Sequence, residues 1–330
     1  MANIVLGMAL SHGPMLSTTP EQWALRVPAD RAAKHPFRGR TLSFNELVEL
    51  RRDDRFDLQS TLDVMRARHA SCQTALDRLA DVFAEVSPDV AVIFGNDQME
   101  IFQESLIPAF GVMHGEKIVN SEMSEARRAK LPPGIAEAAA GHIPPGGASY
   151  SGAPELARHI IKCLMADSFD VATMKSFPTA ETPHAFGFIY RRVMRDQPVP
   201  SVPLLQNTFF PPNQPSTQRC YDFGRAVAKA IRSWPGDARV GVFASGGLSH
   251  FVIDEQLDLG FLEALRKRSA GEITGMREEL LQSGSSEIKN WIALGGAMSE
   301  TGREYRLVDY VPCYRSEAGT GTANCFVFWR

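Results

Sequence analysis

Residues 242–250 read VFASGGLSH, an apolar segment that runs into two glycines and ends at a histidine. A short aliphatic segment bounded by turn residues is typical of a buried strand. Functional side chains are commonly carried by loops at the ends of rigid strands. His250 is therefore a candidate functional residue, and the fold follows from the strands that accompany this one.

Similar apolar segments recur along the chain and alternate with helical patterns. Strands are predicted over residues 3–10, 87–97, 169–177, 202–209, 238–247 and 322–330, and helices over residues 57–86, 153–168, 216–234 and 285–298. This alternation predicts an α/β fold, with a mostly parallel central sheet flanked by helices. We expect residues 1–330 to form a single domain, with insertions at about 17–50 and 111–150.

The composition is that of an ordinary globular protein, with 330 residues, 44% of them hydrophobic and 22% charged, and a net charge of −3. No basic stripe is present, so nucleic acid is not an expected partner. The five cysteines are scattered without CxxC spacing, which favours reduced thiols over a disulfide scaffold. The N-terminus has no signal-peptide pattern, and no apolar run reaches the ~18 residues of a membrane span. We therefore expect a cytoplasmic protein.

Polar side chains follow four of the predicted strands. His12 comes after the first strand, residues 96–98 (Asn-Asp-Gln) after the second, His184 after the third, and His250 after the strand quoted above. In open α/β sheets, ligands bind at the carboxyl ends of the strands. Three histidines at equivalent positions favour one shared cleft over three unrelated capping or surface residues.

A histidine cluster of this kind permits two kinds of chemistry. Neutral imidazoles and a carboxylate can bind a divalent metal. Alternatively, a histidine can act as acid and base on a substrate, because imidazole titrates near neutrality. A Ser-His-Asp hydrolase is less favoured, since the chain has no G-x-S-x-G motif and Ser249, adjacent to His250, does not make a triad.

Five motifs, in this order, resemble those of a known family. They are SHGPM (11–15), GNDQMEIFQESLIPAF (95–110), TPHAFG (182–187), SGGLSH (245–250) and SSEIKNWIALGGAM (285–298). They are similar to motifs of the LigB-type (class III) extradiol ring-cleavage dioxygenases, the family of the protocatechuate 4,5-dioxygenase β subunit and gallate dioxygenase. The resemblance implies a LigB-like fold, an Fe(II) cofactor, and a catecholic substrate whose ring is opened beside the diol with O₂.

The resemblance also implies roles for individual residues. His12 matches the first iron ligand, and Glu287 matches the carboxylate ligand. His250 matches the histidine that acts as acid and base beside the substrate. His184 matches a second active-site histidine, which contacts a substrate hydroxyl.

One family position departs from the pattern. The family's second imidazole ligand lies in an NDH or PDH turn, where this chain has Gln98. An amide oxygen is a poorer Fe(II) ligand than imidazole. His35 belongs to a segment that is inserted relative to shorter family members, and it could supply the missing imidazole if it folds over the strand ends. The alternative is that His35 is a surface residue and that Gln98 hydrogen-bonds a metal-bound water or the substrate.

The remaining candidates are weaker. Phe209 and Phe210 in NTFFPPNQP suit packing either on a planar ring or in the core. Four other histidines carry no motif: His69 and His159 are expected on solvent faces of helices, His142 lies in a Gly- and Pro-rich segment, and the sequence does not place His114.

The leading hypothesis for function is a non-haem Fe(II) extradiol dioxygenase acting on a small aromatic diol and O₂. Because of Gln98, two alternatives stay open. One is a divalent-metal hydrolase or lyase on the same fold, and the other is a non-catalytic binding subunit. The two insertions are long enough to cover the site, so we expect a homo-oligomer, a dimer, without a small second subunit.

Overall fold

The structure is a computed structural model that describes residues 1–330. Its strands are β1 (Asn3–Leu10), β2 (Lys34–Phe37), β3 (Arg40–Ser43), β4 (Val90–Gly95), β5 (Phe110–Met113), β6 (Lys117–Asn120), β7 (Ala148–Ser151), β8 (Ala172–Met174), β9 (Ser201–Gln206), β10 (Arg239–Ser245), β11 (His250–Val252), β12 (Tyr305–Tyr314) and β13 (Thr320–Trp329). Its α-helices are α1 (Val27–Ala32), α2 (Phe44–Leu50), α3 (Phe56–Gln59), α4 (Leu62–Val86), α5 (Glu125–Arg128), α6 (Ile135–Ala138), α7 (Pro154–Ala166), α8 (His184–Phe188), α9 (Thr217–Ser233), α10 (Glu255–Lys267), α11 (Ala270–Thr274) and α12 (Ile288–Met298). Even the longest helix, α4 with 25 residues, lacks the hydropathy that a membrane-crossing helix requires.

Nine strands form one mixed sheet in the order β11-β13-β1-β10-β4-β9-β5-β8, with β12 paired to β13. Its centre is parallel, because β1, β10, β4 and β9 are parallel neighbours. The C-terminal strand β13 runs antiparallel to β1, β11 and β12, and β5 runs antiparallel to β9. The predicted α/β class is therefore confirmed, with antiparallel strands added on both sides of the parallel centre.

The sheet is covered on both faces. Side chains of a strand point alternately to its two faces, and β4 follows this rule. Val92 and Phe94 belong to the core beneath α7, α9 and α12, whereas Ala91 and Ile93 belong to the core beneath α4 and α8. Burial on both faces explains why the central strands are apolar at nearly every position.

The two predicted insertions contain regular structure. Residues 17–50 form a 3-10 helix (Pro20–Arg26), α1, the β2–β3 hairpin and α2. Residues 111–150 are not wholly an insertion outside the sheet, because β5 is part of the main sheet. The rest of that segment contains β6, α5, α6 and most of β7, and β6 and β7 pair with each other outside the main sheet.

Candidate metal centre

The carboxyl ends of β1, β10 and β4 lie side by side, because these strands are parallel neighbours. His12 follows β1 by two residues, and the SGGLSH turn follows β10. His12, His184, His250 and Glu287 all line one cavity of about 310 Å³. The structure thus brings four of the residues singled out from the sequence into one place.

Three of these side chains form a group that could hold a metal ion: His12, His184 and Glu287. One ligand atom from each lies within 4.8 Å of the others. The Nε2 atom of His12 is 3.1 Å from Nε2 of His184 and 3.3 Å from Oε2 of Glu287. Two imidazoles and a carboxylate form the donor set that non-haem Fe(II) sites use. The residues present therefore fit a divalent transition metal.

Hydrogen bonds at the far side of each imidazole direct its Nε2 atom into the cluster. The Nδ1 atom of His12 lies 2.8 Å from Ser245 Oγ. The Nδ1 atom of His184 lies 2.9 Å from the Glu100 carboxylate, which also accepts the His184 backbone N–H at 2.9 Å. Metal-binding histidines typically have such a partner, which fixes the ring and its tautomer.

The carboxylate of Glu287 is held from both sides. Its Oε2 accepts the Gly247 backbone N–H at 2.8 Å, and its Oε1 accepts the Asn96 amide at 3.2 Å. Glu287 ends a short 3-10 helix, Ser283–Glu287, that continues directly into α12. The residue is 4% exposed, so these donors fix its carboxylate in a largely water-free position.

The polar groups of the motif EIKNW (287–291) form hydrogen bonds with the ends of two strands. The Asn290 amide donates to Asn96 Oδ1 and to the Ser245 carbonyl, both at 2.9 Å. The Trp291 indole N–H donates to the Gly246 carbonyl at 2.7 Å. Helix α12 therefore connects the ends of β4 and β10 and places Glu287 between them.

Neighbouring charges shift the pKa values of the cluster. Burial alone would lower the pKa of His184, but the Glu100 carboxylate outweighs it and raises that pKa to about 9. Burial acts to raise the pKa of Glu100, yet His184 lowers it to about 2. Burial lowers the pKa of His12. Against the effect of burial, His12 and His250 lower the pKa of Glu287. In the metal-free protein, His184 Nε2–H can donate to His12 Nε2.

His250 is oriented as a base. Its Nδ1 lies 2.7 Å from the Leu248 carbonyl, which can only accept, so Nδ1 carries the proton. In the neutral ring the lone pair is therefore on Nε2, which lies 3.7 Å from Oε2 of Glu287. The second glycine of the turn leaves room for this ring, because a Cβ on Gly247 would lie 2.8 Å from His250 Nδ1. These contacts explain why a buried strand ends on Gly-Gly and a histidine.

His184, and not His35, lies with His12 and Glu287, which corrects the expectation from the sequence. His35 is in β2, where its Nε2 donates to the Asp30 carbonyl at 2.8 Å. The β2–β3 hairpin packs against β11, and His35 does not line the cavity. Gln98 does line the cavity.

Two cavity residues that lie close to His184, namely Glu100 and His142, were not predicted from the sequence. Glu100 lies two residues beyond Gln98 in a quoted motif, so its position was a usable signal. His142 lines the cavity with its ring 5.9 Å from that of His184, and burial, with His184, lowers its pKa to about 4. Its Gly- and Pro-rich surroundings gave no such signal. Phe209, one of the two candidate ring-packing residues, also lines the cavity.

An α/β sheet with two imidazoles, a carboxylate and a further histidine gathered at one edge defines a candidate metal-dependent enzyme. The family described as the catalytic LigB subunit of aromatic ring-opening dioxygenase matches residues 64–327, and the chain belongs to this family. Among its relatives, gallate dioxygenase of Pseudomonas putida is 30% identical over 184 residues. That match covers 52% of this chain and 52% of the relative, so the chain spans about half the length of that protein. His12 precedes the matched family region, whereas the other three site residues lie within it.

Proposed function

We propose that this chain is an Fe(II)-dependent extradiol dioxygenase that opens a catecholic ring with O₂. The observation that carries the proposal is the convergence of His12, His184 and Glu287, with the free Nε2 of His250 beside them. Membership of the family of ring-opening dioxygenase subunits supports the reaction class. The similarity to gallate dioxygenase supports a hydroxylated aromatic ring as substrate.

His12, His184 and Glu287 would hold the metal ion through Nε2, Nε2 and Oε2. Bound Fe(II) would supply open coordination positions and the redox chemistry by which O₂ reacts with the ring. The protein fixes the donors in advance through Ser245, Glu100 and the Gly247 backbone. Assigning His184 to this set replaces the hydroxyl contact that the resemblance implied for it.

His250 would act first as the base and then as the acid for a hydroxyl proton of the substrate. Its Nε2 lone pair accepts a proton from a ring hydroxyl, and the Leu248 carbonyl holds the ring in position through Nδ1–H. The positive charge that forms on the imidazole is stabilised by the Glu287 carboxylate 3.7 Å away. The same nitrogen can return the proton when the ring opens.

One part of the cavity wall suits a planar apolar ring. Met123, Leu131 and Ile135 from the 111–150 segment line it together with Phe188 and Phe209. Such walls pack on aromatic faces and exclude water. Because the chain supplies these walls itself, we propose that it works without a second kind of subunit. We also propose that the chain is a single domain and forms a homodimer. Sedimentation of the purified protein tests the assembly.

The test is anaerobic loading with Fe(II), followed by metal analysis and O₂ uptake with a panel of catechols. We expect about one iron per chain, O₂ consumption, and a product with the absorbance of a ring-opened semialdehyde. Glu287→Gln should lose the metal, whereas His250→Gln should retain it and lose about 10²–10⁴-fold in kcat. A protein that binds no transition metal, or that turns over its substrate without O₂, contradicts the proposal.

A further inference from the structure

The charged residues that line the cavity include two carboxylates, and both belong to the histidine cluster. Glu287 faces His12 and His250. Glu100 binds His184 through its backbone and side chain. Neither carboxylate is available to balance a positive charge elsewhere in the cavity.

Three arginines also line the cavity, and two of them have their own partners. Arg315 makes a bidentate pair with the buried Asp30, with both N–O distances at 2.7 Å. Arg127 pairs with Glu181. The charges of these two guanidinium groups are therefore compensated within the protein.

Arg26 is the cavity arginine without a carboxylate partner. It ends the 3-10 helix Pro20–Arg26, is half-buried, and makes one hydrogen bond, from Nη1 to the Pro133 carbonyl at 3.4 Å. Burial and the nearby Arg315 lower its pKa, and the Asp30 carboxylate, which is bonded to Arg315, offsets only part of this shift. A partly buried charge of this kind is costly unless an opposite charge meets it.

We propose that Arg26 binds a carboxylate carried by the ring substrate, which makes it a specificity-determining residue; the inference rests on the proposed ring-opening function. A guanidinium fork matches a carboxylate with two parallel hydrogen bonds. One uncompensated positive charge matches a monoanion, whereas a phosphate monoester would bring about −1.5 to −2. Leu131 and Ile135, which line the same cavity, suit the apolar body that carries the carboxylate.

Arg26 lies at the contact between the two inserted segments, 17–50 and 111–150. Arg26 belongs to the 17–50 segment, and its side chain packs on the turn at Gly134 in the 111–150 segment. A Cβ on Gly134 would lie 3.0 Å from Cδ of Arg26. The two segments together therefore build the part of the cavity that selects the substrate's anionic group.

The test compares Arg26→Gln with Arg52→Gln, which makes the same charge change at an exposed position away from the cavity. Binding is measured by calorimetry on Fe(II)-loaded protein without O₂. The probes are 3,4-dihydroxybenzoate, its methyl ester, and catechol. Benzoate, which has no diol, probes the carboxylate contact in metal-free protein.

We expect the unmodified protein to bind 3,4-dihydroxybenzoate about ten- to hundredfold more tightly than its methyl ester or catechol. Arg26→Gln should abolish this preference and the binding of benzoate, with catechol affinity unchanged as a control for folding. Arg52→Gln should keep both. A preference that survives in Arg26→Gln, or that is absent from the unmodified protein, overturns the inference. If no diol supports O₂ uptake while the Arg26-dependent preference holds, the proposed reaction fails and the carboxylate site stands.

Discussion

Glu100 shows how a residue outside the proposed ligand set can orient a proposed metal ligand. It accepts both the backbone N–H and Nδ1–H of His184, which leaves the His184 Nε2 lone pair for a metal. Partners of this kind typically contribute 10–100-fold to metal affinity. We expect Glu100→Gln to weaken metal binding by about that factor, as measured by competition against a chelator. Glu104→Gln, an exposed change four residues away, is the matched control, and equal affinities in the two variants would contradict the assignment.

His35 and His184 can be distinguished by one pair of variants. His35 is 4% exposed and bonds the Asp30 carbonyl, so His35→Ala should lose about 1–3 kcal/mol of unfolding free energy while keeping its metal. His184→Ala should lose the metal, because it removes a donor of the cluster. Metal content and urea denaturation of both proteins give the two measurements. Loss of the metal in His35→Ala would restore the hypothesis drawn from the sequence.

Individual site residues were predictable where a strand end fixes them. His12 and His250 follow parallel neighbours directly, so their shared edge follows from the alternation of strands and helices. The position of His184 beside His12 and Glu287 did not follow, because His184 lies ten positions beyond the last residue of β8. Tertiary contacts of that loop, above all the hydrogen bonds to Glu100, decide where the imidazole points.

At the level of elements, the 3-10 helix Ser283–Glu287 and the SGGLSH turn form one packed unit around His250. Gly284 faces the His250 ring and backbone so closely that a Cβ would overlap both. We expect Gly284→Ala to cost about 1–3 kcal/mol of stability by overpacking and to lower kcat by displacing His250. Urea denaturation and O₂ uptake measure the two effects.

A matched glycine variant separates crowding from the change in backbone entropy. Gly260 lies in α10, where an added Cβ would meet no atom within 4 Å. Gly260→Ala should therefore stabilise the protein by about 0.5–1 kcal/mol with kcat unchanged. If Gly284→Ala behaved like Gly260→Ala, the close packing around His250 would not hold.

The central strands could be predicted from the sequence, because burial on both faces of the sheet makes β1, β4 and β10 apolar at nearly every position. The long helices could also be predicted, because their apolar residues recur three and four positions apart. Strand β12 was missed, since its sequence YRLVDYVPCY carries charges and its first half is partly exposed. Its partner β13 follows closely in the sequence, and the chain turns back between the two strands at residues 315–319. Such edge strands are specified by that pairing more than by an apolar pattern.

At the scale of the whole molecule, the buried carboxyl group of Asp258, outside the candidate metal centre, should make the unfolding free energy depend on pH. Asp258 is fully buried and accepts hydrogen bonds from the Ser249 N–H, the Ser249 hydroxyl and the Tyr310 hydroxyl. Burial nevertheless raises its pKa from 3.8 to about 7, and Asp254 adds to the shift. The native protein therefore retains a proton that the unfolded chain has already released.

The sign of the effect follows from proton counting. Between about pH 4 and pH 7 the unfolded state binds fewer protons at this site than the native state, so stability falls as pH rises and levels off above the native pKa. We expect the unfolding free energy of the unmodified protein, relative to Asp258→Asn, to fall by up to about 1.4 kcal/mol per pH unit across this window. Asp97 and His142 also titrate there, with pKa values of about 6 and about 4, but they are common to both proteins and cancel in the difference. Urea denaturation of the metal-free proteins at pH 5, 6 and 7 measures the slopes, and parallel slopes would show that Asp258 is already ionised in the native state.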